Sequence, residues 1–117
     1  MSTPTRVIQV TLAEALAKRP PPDNLAAPIL RCGDMELEFY APVGRDPQTP
    51  HSRDELYVIA SGTGWFHWDE QRQAFEAGAV LFVPAGRNHH FSDFSPDFAA
   101  WVMFFGPEGG NAMLTVE

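Results

Sequence analysis

Between Met35 and Phe105 the chain meets a glycine, a proline or a cluster of turn-forming residues at intervals of about 8 to 12 residues. That punctuation leaves no room for a long helix, because proline lacks an amide proton and glycine costs about 1 kcal/mol in a helix interior. The gaps are filled by runs rich in β-branched and aromatic side chains, at residues 55–60 (ELYVIA), 65–68, 79–83, 89–94 and 98–105. Residues 35–40 (MELEFY) alternate, which predicts Met35, Leu37 and Phe39 on a buried face and the two glutamates opposite. No run is followed by a helix long enough for a parallel crossover, so the sheets are expected to be antiparallel. Many short antiparallel strands mean a sandwich, a barrel or a jelly roll.

The first residues read differently. Residues 7–10 alternate well enough for a short strand, and Thr11-Leu12-Ala13-Glu14 has the form of a capping box opening a short helix. Arg19-Pro20-Pro21-Pro22-Asp23 has to end it. We therefore divide the chain into an N-terminal strand, helix and Pro-rich linker over 1–28 and a β-domain over 29–117.

With 117 residues the chain fits one core, and nine Phe and three Trp supply enough apolar surface to fold without disulfides. A net charge of −7 makes nucleic acid and anionic membranes poor partners. Cys32 is the single cysteine, expected to be a buried inert thiol in a reducing compartment. The first residues lack the pattern of a secretory signal, and no run approaches the ~20 apolar residues of a membrane span, so a cytoplasmic protein is the expectation.

Two of the four histidines sit where metal binding is plausible. His51 and Glu55 are four apart, which in an extended chain is roughly 13 Å, so Ser52-Arg53-Asp54 must bend if the two are to share an ion. His89 follows the turn Pro84-Ala85-Gly86 and opens a strand that can face Glu55 across a barrel. Residues 50–64 (PHSRDELYVIASGTG) resemble the first cupin motif, and residues 78–93 (GAVLFVPAGRNHHFSD) are similar to the second. On that pattern His51 takes the place of the second motif histidine, Glu55 the glutamate and Gly62 the glycine; Gly78, Pro84, Gly86 and His89 fill the second motif. Thr49 stands where the family has its first histidine, and Asp93 where asparagine is usual.

The resemblance implies an all-β cupin double-stranded β-helix, a jelly-roll barrel with one short N-terminal helix. It implies one divalent metal ion (Fe, Mn, Zn or Ni) held by His51, Glu55 and His89, two histidines and a carboxylate with positions left open. Gln48 or Asp46 could add a weak fourth ligand. Strand parity carries Tyr57 inward from Glu55, and Phe91 and Asp93 inward from His89; with Leu37 and Phe39 they would line the pocket. Tyr57 and Asp93 are the candidate acid and base.

Each residue also has a bland reading. His51 and Glu55 could be a surface pair beside Arg53; His90, of opposite parity to His89, faces outward; His67 among aromatics is packed or hydrogen-bonded; Asp54 is a solvated turn residue. The implied function is a metal-binding protein acting on a small molecule, as a dioxygenase or an isomerase. A non-catalytic ligand-binding sensor and a metal-free barrel of the sugar-epimerase sort stay open beside it. Residues 79–83 and 101–105 are apolar on both faces, which calls for a second covering layer and suggests a homodimer.

Overall fold

The computed structural model describes residues 5–20 and 25–117. Helix α1 (Leu12–Leu16) opens with the expected capping box: the Thr11 hydroxyl accepts the Glu14 N–H at 3.1 Å, and the Glu14 carboxylate accepts the Thr11 N–H at 3.2 Å. The helix stops before Pro20; Pro21, Pro22 and Asp23 of the proposed linker lie outside the described residues. The strand expected at residues 7–10 does not form. Val7 is 96% exposed, and among the described residues no strand pairs with this segment.

Among the described residues eight strands follow: β1 (Ala27–Cys32), β2 (Met35–Tyr40), β3 (Asp54–Ser61), β4 (Thr63–Trp68), β5 (Gln71–Glu76), β6 (Val80–Val83), β7 (His89–Ser92) and β8 (Ala99–Phe105). They form a five-stranded sheet in the order β1-β2-β8-β3-β6 and a three-stranded sheet in the order β5-β4-β7, with antiparallel pairing throughout. Two strands escaped the sequence reading. β1 carries Pro28, which an edge strand tolerates; β5 is polar except for exposed Ala74 and for Phe75, its one buried side chain.

Register decides which side chains meet inside. Pairing places Glu38, Val102, Tyr57 and Leu81 in one row across the larger sheet, and Glu36, Phe104, Glu55 and Val83 in the next. Tyr40, Ala100 and Ile59 form a third. The smaller sheet faces them with Phe66, Phe75 and Phe91, and the joint core cluster includes Tyr40, Tyr57, Ile59, Phe66, Phe75, Phe91 and Phe98. Phe91 is its hub, with ring centroids at 4.8 to 5.4 Å from Phe98, Phe66, Tyr57 and Phe75. Such pairs add about 0.5–1.5 kcal/mol each beyond the area they bury.

The expectation for β2 is corrected by this register. Glu38 and Tyr40 face inward; Leu37 and Phe39 face the other way, where Phe39 packs on Ala15 of α1 and edge-on to Trp101 at 5.0 Å. Leu37 and Phe39 therefore do not line the pocket. Alternation on β2 was real, but helix α1 gives the outer face an apolar cover, and the glutamates take the side that opens toward the barrel mouth. Part of the layer needed over Trp101 is thus supplied by the chain itself. Val58, Val80 and Phe82 remain 37%, 60% and 36% exposed on the same outer face.

Candidate functional site

Glu55 and His89 meet in the barrel interior, 1% and 2% exposed, with Glu55 Oε1 at 2.8 Å from His89 Nε2. β3 brings one and β7 the other. The Arg87 carbonyl lies 2.8 Å from His89 Nδ1, so Nδ1 carries the proton that it accepts and Nε2 is the nitrogen aimed at Glu55. Glu55 Oε2 is buried without a hydrogen-bond partner. Burial alone would lower the His89 pKa, but the bonds to Glu55 and to the Arg87 carbonyl, with the Glu55 and Asp46 charges, outweigh it and leave the imidazole above its ordinary value.

Tyr57 joins this pair, its hydroxyl 3.2 Å from His89 Nε2 and donating to Gln48 Oε1 at 2.9 Å. Burial, then the Glu55 and Asp46 charges, hold the Tyr57 hydroxyl well above the usual phenol range, so it stays protonated. Gln48 donates to Asp46 at 2.5 Å; Asp46 also accepts the Phe91 N–H at 2.7 Å and the Tyr40 hydroxyl. Burial and then that bond push Tyr40 up as well. Asp46 and Gln48 thus support the tyrosines from the loop between β2 and β3. Sequence reading weighed them only as ligands and missed Tyr40 and Glu38, which inverted parity on β2 had turned outward.

His51 lies apart from the buried pair. It is exposed on the loop before β3, its ring 4.6 Å from Phe104, on the wall of a chamber of about 130 Å³ lined also by Glu38, Tyr40, Gln48, Thr49 and Tyr57. Its carbonyl accepts the Gly86 N–H at 2.6 Å, which joins the loops of the two motifs. Gly86 has φ 77°, a backbone that favours glycine. Gly62, at φ 88°, is held for a second reason: a Cβ there would stand 2.6 Å from Phe98 Cα. Among the described residues no three His, Cys, Asp or Glu side chains gather so as to hold a metal ion.

Asp93 does not reach the interior. β7 ends at Ser92, and Asp93 follows with φ 49° and an exposed side chain, so the parity that carries Phe91 inward has already lapsed. His90 does face out, stacked on half-buried His67 at 4.4 Å, and His67 bonds to Ser92 at 2.6 Å. Burial, followed by His90 and Arg72, lowers the His67 pKa. Two expectations are reversed: Cys32 is exposed rather than buried, and Asp54 is buried rather than solvated.

Known proteins bear on this geometry in three ways. An uncharacterized protein of Streptomyces coelicolor is 34% identical over 99 residues, covering 83% of this chain and 94% of that protein. An acireductone dioxygenase of Frankia alni is 46% identical over 65 residues; the match takes in 51% of this chain but only 31% of that relative's length. Among solved structures, a cupin 2 conserved barrel domain protein of Salinispora arenicola superposes with a TM-score of 0.65 at 16% identity, covering 86% of this chain and 91% of that one. The sequence pattern of the family described as cupin domain matches residues 36–105, from β2 through β8 and across both motifs. This chain belongs to the cupin family, and its two sheets form the cupin double-stranded β-helix.

Proposed function

We propose that this cupin binds one divalent metal ion at Glu55 and His89, completed by His51 from the rim, and uses it on a small molecule, as a dioxygenase or an isomerase. The observation that supports the ion is electronic. With the imidazole proton on Nδ1, a neutral His89 aims the Nε2 lone pair at a carboxylate, and Glu55 Oε2 is buried without a donor. Two electron-pair donors in a dry interior repel unless a proton or a metal ion lies between them. Imidazole and carboxylate are a suitable set for Fe, Mn, Zn or Ni.

When bound, the ion supplies Lewis acidity toward a substrate oxygen. The chain does the rest: the Arg87 carbonyl fixes the His89 tautomer, Gln48 holds the Tyr57 hydroxyl, and the chamber walled by Glu38, Tyr40, Thr49 and His51 receives the substrate against Tyr57. Elemental analysis of protein purified without chelators tests the reading. Close to one equivalent per chain is expected, falling to background in Glu55→Ala and His89→Ala and clearly lower in His51→Ala. Oxygen uptake or turnover of small carbonyl or phenol substrates then separates an enzyme from a sensor.

A second reading has its own observation. Glu55 and His89 already satisfy each other at 2.8 Å while His51 stays on the rim. That suits a metal-free barrel of the sugar-epimerase sort, with a proton-bridged pair as acid and base. Absence of metal from the purified protein would select it.

The exposed row of Val58, Val80 and Phe82 supports a homodimer through the outer face of the larger sheet. Sedimentation at micromolar concentration is expected to give a dimer, and Phe82→Glu a monomer.

A further inference from the structure

Tyr57 reaches the Glu55–His89 pair with its hydroxyl, and the direction of that single O–H bond is set from outside the pair. The inference rests on the metal reading above. The Asp46 carboxylate takes the Tyr40 hydroxyl on Oδ1, and on Oδ2 the Phe91 N–H at 2.7 Å and the Gln48 side-chain amide at 2.5 Å. A carboxylate only accepts, so the end of Gln48 that faces it must be the NH2 group. The carbonyl end then faces Tyr57, whose hydroxyl donates to it at 2.9 Å.

A phenol has one proton, and here it is committed to Gln48. Tyr57 therefore presents lone pairs to His89 Nε2, 3.2 Å away, while the imidazole proton is held on the far side by the Arg87 carbonyl. Glu55 Oε1 completes the point at 2.8 Å from the same nitrogen. His89 Nε2 is the other acceptor beside the Tyr57 hydroxyl, and if it took that proton the site would lose an electron pair. An amide fixed by Asp46 draws the proton the other way.

We propose that Asp46 is a positioning residue for a divalent cation: acting through Gln48, it turns the Tyr57 proton away, so that Tyr57, His89 and Glu55 all face the ion with electron pairs. Replacing Asp46 by asparagine frees Gln48 to flip; its NH2 then donates to Tyr57, and the Tyr57 proton turns toward His89 Nε2.

Calorimetric titration of Ni(II) into chelator-stripped full chain tests this. Asp46→Asn and Gln48→Leu should each weaken Ni(II) by about 10- to 100-fold. On a Tyr57→Phe background Asp46→Asn should cost less than about threefold more, because its effect travels through the hydroxyl. A merely structural Asp46 would cost the same in both backgrounds, and that result overturns the proposal. So does wild-type affinity in Asp46→Asn and Gln48→Leu. Should Asp46→Asn fail to fold, Gln48→Leu carries the test, since it leaves the Asp46 bonds to Phe91 and Tyr40 in place. Wild-type protein that takes up no Ni(II) overturns the metal reading and this inference together; wild-type uptake with unchanged variants overturns this inference alone.

Discussion

Asp54 and Glu55 are neighbours at the start of β3, both carboxylates and both buried, yet they live in opposite circumstances. Asp54 turns away from the barrel, where Oδ1 accepts the Ala85 N–H of the turn between β6 and β7 at 3.0 Å and Oδ2 accepts the Asn111 N–H of the C-terminal loop at 3.0 Å and its side-chain amide at 3.1 Å. The Asn111 N–H, opposed by burial and aided by Ala85, holds its pKa below the ordinary value. Glu55 turns into the barrel, shares one oxygen with His89 and has no donor for the other. A buried polar group with every bond made is a fastener; one left short keeps an electron pair to share.

The largest test of that contrast is Glu55→Gln. It should reduce bound metal from close to one equivalent to background while shifting the urea unfolding free energy by less than about 1 kcal/mol, since the shape is kept and the carboxylate had few bonds to lose. Next comes Asp54→Ala, which strands three N–H donors and should cost about 3 kcal/mol, with the metal content of the folded protein unchanged. If the two variants behaved alike, the distinction between the two carboxylates would fail.

Acid and base should then separate the two regions. The folded Asp54 value lies below the unfolded one, so its contribution is present above about pH 4 and is lost as pH falls through the folded value. The stability gap between wild type and Asp54→Asn should close in acid. His89 has the opposite sign: with its folded value raised, its contribution in metal-free protein is present below about pH 6.5 and is lost as pH rises through the folded value. The gap between wild type and His89→Gln should therefore close toward alkaline pH. The smallest effect belongs to His90→Ala on the outer face, expected to stay within about 0.5 kcal/mol by thermal unfolding despite the stacked His67 ring.

How much was legible before the structure follows the same line. Glu55, Tyr57, His89 and Phe91 could be placed by period-two parity because their strands have one dry face. β2 could not, because both of its faces are covered, one by α1 and one by the barrel, and apolar alternation does not say which cover is which. Asp54 looked like a turn residue because its partners, Ala85 and Asn111, are remote in sequence. Asp46 and Gln48 were noticed for their donor atoms, but which way those atoms point is a property of the assembled loop. Residues 7–10 show the limit of periodicity: the pattern suits a strand, but among the described residues no edge takes it up.

The bond from the Gly86 N–H to the His51 carbonyl offers a practical handle. A turn amide at an exposed glycine ordinarily exchanges with solvent quickly, but this one is tied across to the other motif and should exchange only when the two loops part. A single deuterium-uptake measurement at residue 86 would therefore clock how often the site comes apart, with neither metal nor substrate needed to see it.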